Sequence, residues 1–221
     1  MSESSNIPRI SYFFDVISPY SAFSWFVLQR YRDEWKGKVT VDLKPFFLGG
    51  VMKATKNKPP GLAIPPKVRF LAGDLKRNRA LFQCDILPMP ANFFSEIESL
   101  ITAFTKAVHL DRSFRDSKNN LTIDNQLICK CMQTAGICKK DVTILLTWSN
   151  SRMAKDMVRA NTEEAVNLGA FGAPSFYVQN APKPFQKPFL LFGSDRFEQL
   201  TYILNLKWHG VARQLLHNSK L

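Results

Sequence analysis

The segment from Ile10 to Ile17, I-S-Y-F-F-D-V-I, is almost continuously apolar and rich in aromatic and β-branched residues. Such a run predicts a central strand buried on both faces. It meets Ser18-Pro19-Tyr20-Ser21 at once. Serine is a favoured N-cap and proline fits the first helical position, so a helix is expected from there to about Trp35. Phe23, Phe26, Val27 and Tyr31 recur at helical spacing, while Gln29, Arg30, Arg32, Asp33 and Glu34 collect towards the end. Val39, Val41 and Leu43 then alternate with Thr40, Asp42 and Lys44, which reads as a half-buried strand closed by Gly49-Gly50. The chain thus begins β-α-β.

From about Met52 to Asn161 the character changes. Pro59-Pro60-Gly61 and Pro65-Pro66 mark a constrained loop, helical patterns follow at about 67–83, 91–109, 124–136 and 139–148, and another helix runs to about Leu168. Strand-like sequence returns as S-F-Y-V-Q (175–179) and P-F-L-L-F (188–192), joined by a proline-rich hairpin loop, and Gly193-Ser194-Asp195 opens a last helix to about Trp208. This order predicts an α/β chain. Residues 8–52 and 162–215 form a discontinuous sheet domain, 53–161 a helical insertion domain, and 216–221 a tail.

At 221 residues and 45% hydrophobic, the chain can bury a substantial core. It has no stretch near the roughly 20 apolar residues a membrane helix needs, and Met1 to Arg9 lacks the regions of a secretory signal. A soluble, non-secreted protein with no membrane insertion is expected. Cys84, Cys129, Cys131 and Cys138 are too few for a disulfide scaffold and lack metal-ligand spacing, so they read as core or half-exposed thiols in a reducing compartment, with no metal. The net charge of +12 is spread along the chain without any zinc-finger, ribonucleoprotein or basic-zipper pattern. That argues against a nucleic-acid partner and leaves a solvated basic face or attraction of anionic substrates. His109, His209 and His217 have no paired nucleophile and read as packed or solvated.

The junction at Ser18 carries the chemistry. A helix N-terminus presents unpaired N–H groups and partial positive charge, which stabilise an anion such as a thiolate. The Ser18 hydroxyl could donate to that anion, or serve only as a cap. Pro174 suits the first position of the returning strand, with Ala173-Pro174 open to cis or trans. Phe192-Gly193-Ser194-Asp195-Arg196 makes a second strand-to-helix turn, whose carboxylate could pair with a ligand ammonium and whose N–H groups with a ligand carboxylate; plain capping is the alternative.

Four motifs, D-V-I-S-P-Y-S (15–21), N-K-P-P-G-L (57–62), G-A-F-G-A-P (169–174) and L-F-G-S-D-R (191–196), occur in order over almost the whole chain. Together they resemble the kappa-class glutathione transferases. The resemblance implies a thioredoxin-like fold with an inserted helical domain, usually a homodimer, with glutathione as co-substrate and no other cofactor. By that similarity Ser18 is the catalytic hydroxyl facing the glutathione sulfur, and Pro19 and Tyr20 complete the site. Asn57 would contact the peptide, the backbone of Ala173 before Pro174 would pair with the cysteinyl unit, and Ser194 with Asp195 would hold the γ-glutamyl end, with Arg196 a further candidate. Many thioredoxin-like proteins hold Cys-x-x-Cys at this junction; here Ser18 and Ser21 replace both thiols, so dithiol exchange is not expected there.

The chain departs from the family pattern in two places. Ala173 is smaller than the aliphatic residue common before the proline, and the stretch from about Thr105 to Thr122 is short of a helix, so the acceptor pocket is expected to differ more than the glutathione site. The expected acceptors are small electrophiles or hydroperoxides. A glutathione-dependent isomerase of the 2-hydroxychromene-2-carboxylate type and a non-catalytic binding or chaperone module are the alternatives. Ser219-Lys220-Leu221 matches the tripeptide read by the peroxisomal import receptor, so a peroxisomal location is expected.

Overall fold

The computed structural model describes residues 7–58, 65–84, 125–134 and 136–212. The helical pattern at 91–109, the stretch 105–122, His109, Pro59 to Leu62, His217 and Ser219 to Leu221 lie outside them, as does the Cys131 side chain.

Strand β1 (Arg9–Phe14) pairs in parallel with β2 (Thr40–Pro45), Tyr12 opposite Leu43. Antiparallel β3 (Ser175–Gln179) lies on its other side, Tyr12 opposite Phe176, and β4 (Phe189–Phe192) extends the sheet to the order β2-β1-β3-β4. Successive strand residues face opposite sides. Tyr12 accordingly stacks on Phe176 with centroids 5.1 Å apart, while Phe13 packs on the other face with Phe46, Val51 and Ala165. Both side chains are fully buried, which is why the run shows no alternation. Removing a side chain such as Phe13 from water contributes roughly 1.5–3 kcal/mol.

Helix α1 (Pro19–Trp35) connects the parallel pair and buries Phe23, Val27, Tyr31 and Trp35; Phe26 is only half-buried. After β2 the sequence reading needs correction. Gly49 and Gly50 do not close the strand but lie in α2 (Leu48–Thr55), a short helix held by the fully buried Val51 against Phe13. Burial of one apolar face outweighs the low helix propensity of two glycines.

Two compact units result, Met1–Cys84 with Asn161–Leu221, and Asp85–Ala160. The division falls later than the composition suggests, because the first unit keeps α2 and α3 (Pro65–Leu81). Phe82, just after α3, stacks on Phe23 of α1 at 5.0 Å, and Tyr20 of α1 donates to Asp74 of α3. The second unit contains α4 (Asn125–Thr134), α5 (Lys139–Ser149) and the first half of α6 (Arg152–Asn167), with Met132 and Val142 buried in it. Cys84 is buried, Cys129 half-buried and Cys138 exposed, all free thiols. No helix among the described residues is long and apolar enough to cross a membrane.

The last helix, α7 (Phe197–Ile203), is shorter at both ends than the sequence pattern suggests. Asn205 takes a left-handed φ of 53° and Leu206 N–H closes the turn on Thr201 O, so the chain leaves the helix well before Trp208. Beyond it His209 packs against α1: its backbone N–H donates to the Tyr31 hydroxyl at 2.7 Å and its ring nitrogen lies 3.4 Å from Glu34.

Candidate active site

Ser18 is the N-cap of α1, with φ −84° and ψ 114°, and Pro19 follows in the first turn. Its Oγ accepts the Ser21 N–H at 3.3 Å, and its carbonyl accepts Ala22 N–H as the first helical bond. The loop leading into it is tied from behind by Asp15. This buried carboxylate accepts Ile17 N–H at 3.1 Å through one oxygen and Leu48 N–H at 2.8 Å through the other, while Asp15 O accepts Ser18 N–H at 3.1 Å. Burial pushes the Asp15 carboxyl up to about 6, and the two N–H donors pull against that rise. The Tyr12 hydroxyl donates to Ser21 O at 2.7 Å and so fixes the start of α1 to the central strand.

The second wall is the entry to β3. Ala173-Pro174 is a cis peptide, and the Ala173 carbonyl accepts the Ser18 hydroxyl at 3.3 Å across 155 residues of sequence. Ser18 is 6% exposed and Ala173 9%. Ala173 N–H makes no hydrogen bond among the described residues. Gly172, just before, lets the chain pass close to the Phe192 ring, since a Cβ there would lie 2.7 Å from it. Pro174 O accepts Gly193 N–H at 3.0 Å, linking the β3 entry to the turn after β4, where Gly193 takes φ 108°.

That turn differs from the sequence reading. Neither Ser194 nor Asp195 caps α7; the N-cap is Arg196, whose side chain makes no cap bond, because residues 193–195 form a separate turn one step earlier. Ser194 is buried, whereas Asp195 is exposed and lies 3.6 Å from the Arg196 guanidinium. Asn57 is also committed within the chain. Its amide nitrogen donates to Phe171 O at 2.7 Å and its oxygen accepts Lys58 N–H at 2.9 Å, so the side chain braces the segment two residues before Ala173.

Two acids that the sequence reading did not single out organise this region. Asp15 is one. The other is Asp74, which accepts the Tyr20 hydroxyl at 2.7 Å and the Asn78 amide at 2.9 Å on the same oxygen, with Arg77 3.6 Å from the other. Burial, the Asp74 bond and the Asp74 charge raise the Tyr20 pKa, with a further push from Asp195 and an opposing pull from Arg77. Tyr20 therefore directs its proton at Asp74 and offers the site an oxygen lone pair. The available signals were compositional: Asp74 is the sole acid in the otherwise basic α3, and Asp15 the sole acid in the apolar run.

Comparison with known proteins agrees with this architecture. The DSBA-like thioredoxin domain model matches residues 9–205. Glutathione S-transferase kappa 1 of Homo sapiens is 33% identical, over 92% of this chain and 94% of its own, and that of Rattus norvegicus is 31% identical over the same shares. Among solved structures, a 2-hydroxychromene-2-carboxylate isomerase superposes with a TM-score of 0.64 at 18% identity, covering 89% of this chain and 94% of its own. A probable DsbA oxidoreductase from Streptomyces coelicolor gives 0.56 at 17% identity, covering 91% and 92%. At those identities the two structures speak for the fold alone. The relatives at 31–33% identity and the domain match together identify the chain as a member of the DSBA-like thioredoxin-domain family and, within it, of the enzymes of the kappa glutathione S-transferase class.

Proposed function

We propose that the protein is a glutathione transferase that ionises the glutathione thiol beside Ser18 and delivers the thiolate to an electrophile. The observation that carries this reading is a buried hydroxyl at the N-terminus of α1, next to the Ala173 backbone, where thiol-disulfide enzymes of the same fold hold a cysteine. A free cysteine thiol has a pKa of about 8.5, so only a few per cent is ionised at neutral pH. Lowering it by about two units requires roughly 2.7 kcal/mol of preferential binding of the anion. The helix terminus supplies about 0.3–2 kcal/mol and a charge-assisted hydrogen bond about 1.5–3 kcal/mol, which together cover the requirement.

In the transferase reaction the thiol proton leaves to water, the sulfur forms a bond to the electrophilic carbon, and a halide or similar group departs with the electron pair. With a hydroperoxide the sulfur takes the terminal oxygen and releases an alcohol, and a second glutathione then yields the disulfide and water. Ser18, Pro19 and Tyr20 border the sulfur in this reading. The Ala173 backbone before Pro174 receives the cysteinyl unit, Asn57 braces that segment, and Ser194, Asp195 and Arg196 hold the γ-glutamyl end.

The deciding experiment is titration of bound glutathione by thiolate absorbance, in wild type and Ser18→Ala. A bound thiol with an unshifted pKa in wild type defeats the reading. Homodimer formation and a peroxisomal location belong to the same proposal, the second on Ser219-Lys220-Leu221 alone. Sedimentation tests the first. Imaging of an N-terminally tagged protein, with and without the last three residues, tests the second.

A further inference from the structure

Ser18 has one hydroxyl proton and two claims on it. In the structure that proton goes to Ala173 O at 3.3 Å, long for an O–H···O bond, while the oxygen is already engaged as acceptor for Ser21 N–H. A hydroxyl that stabilises a thiolate must turn that proton to the sulfur, and doing so leaves the Ala173 carbonyl, in a residue only 9% exposed, without its partner. A buried acceptor left unpaired is penalised, so a sulfur arriving alone draws the proton at a disadvantage. A ligand that brings its own N–H to the carbonyl removes that disadvantage.

We infer that the Ala173 carbonyl is a shared acceptor that couples peptide capture to thiol activation: an amide N–H of the bound ligand replaces the Ser18 hydroxyl on the carbonyl, and the released proton turns to the sulfur. The inference rests on the glutathione-transferase reading and refines it. The Ser21 N–H holds the Ser18 oxygen in place throughout, so the change is a rotation of one hydroxyl about a fixed oxygen. The ligand class is a thiol whose amide N–H sits on the same carbon that bears the sulfur-carrying methylene, as in a cysteinyl peptide. Simple alkyl thiols lack that group and would be activated poorly even at saturation.

The test compares glutathione with its ester analogue, in which oxygen replaces the N–H between the γ-glutamyl and cysteinyl units while shape and thiol are kept. Thiolate absorbance is followed against pH and ligand concentration in wild type and Ser18→Ala, and a global fit returns the bound-state pKa even for a weakly held ligand. With glutathione, Ser18→Ala should raise the bound thiol pKa. With the ester analogue, the wild-type pKa should lie on the order of one unit closer to that of the free thiol, a tenfold smaller thiolate-to-thiol ratio, and Ser18→Ala should add little. An ester analogue activated as fully as glutathione overturns the coupling while leaving the Ser18 assignment intact. An analogue that does not bind at all overturns it too, since the carbonyl is then an obligatory anchor. A glutathione thiol unaffected by Ser18→Ala in the same experiment identifies failure of the parent reading instead.

Discussion

Replacing Asp15 by asparagine exchanges a buried carboxylate for a neutral amide of nearly the same shape, and the structure specifies how the two should diverge with pH. The carboxylate accepts Ile17 N–H and Leu48 N–H on separate oxygens. Asparagine has one acceptor oxygen, so its NH₂ would face one of those donors and forfeit a bond. Against this loss stands relief from a buried charge, because burial raises the Asp15 pKa from 3.8 to about 6. A carboxyl whose folded pKa lies above its unfolded one binds its proton more tightly when folded. Its contribution is therefore fully present below the unfolded value and is lost as pH rises through the folded value.

The rise from 3.8 to about 6 corresponds to roughly 3 kcal/mol, of which roughly 1 kcal/mol should appear between about pH 7.5 and pH 5. Urea denaturation of wild type and Asp15→Asn at several pH values isolates the term, since every other group titrates in both proteins. Wild type should gain on the order of 1 kcal/mol on the mutant as pH falls from about 7.5 to 5. A difference that is flat, or that shrinks in acid, refutes the reasoning, because it would mean that the two N–H donors outweigh burial.

Other outcomes follow from the same geometry. Ser18→Ala should lower kcat about ten- to a hundred-fold with little change in glutathione affinity, as expected for a bond made to the developing thiolate; steady-state and binding measurements together check it. Tyr20→Phe should cost about 1 kcal/mol in chemical denaturation, discounted because Tyr20 is half exposed, yet leave the bound thiol pKa unchanged, since the phenol proton is held by Asp74 at 2.7 Å. A raised thiol pKa in that variant would contradict the assignment. Gly172→Ala drives a methyl against the Phe192 ring at 2.7 Å and should destabilise by about 1–3 kcal/mol, with recovery in the double variant that also carries Phe192→Ala.

How much of this could be read from the sequence depended on whether the cause was local. Ile10 to Phe14 and 175–179 were legible because strands largely buried on both faces are dominated by apolar and aromatic residues, and Ser18-Pro19 because capping preferences act within one turn. Gly49-Gly50 misled because the helix there is decided by Val51 meeting Phe13 across the core, which no local pattern records. The turn at 193–195 displaced the expected cap for a similar reason: Gly193 N–H is held by Pro174 O from the neighbouring strand. Asp15 and Asp74 owe their roles to partners at Leu48 and Tyr20, residues 33 and 54 positions away, so their type was visible but their function was not.

The meeting of Ser18 and Ala173 has a consequence for how such a chain can vary. β1 leaves and β3 enters the sheet at the same end, Phe13 opposite Ser175, so both junctions are pinned whatever the chain does between them. All the residues assigned to the glutathione site belong to the first unit. For a flexible connection, doubling the length adds only about 0.6 kcal/mol of closure entropy. By that scaling, added length between the two junctions costs little in closure free energy, while the time needed to bring residues 155 apart together grows. The bond between the Ser18 hydroxyl and the Ala173 carbonyl is thus a contact of high sequence separation, the kind whose closure slows folding most.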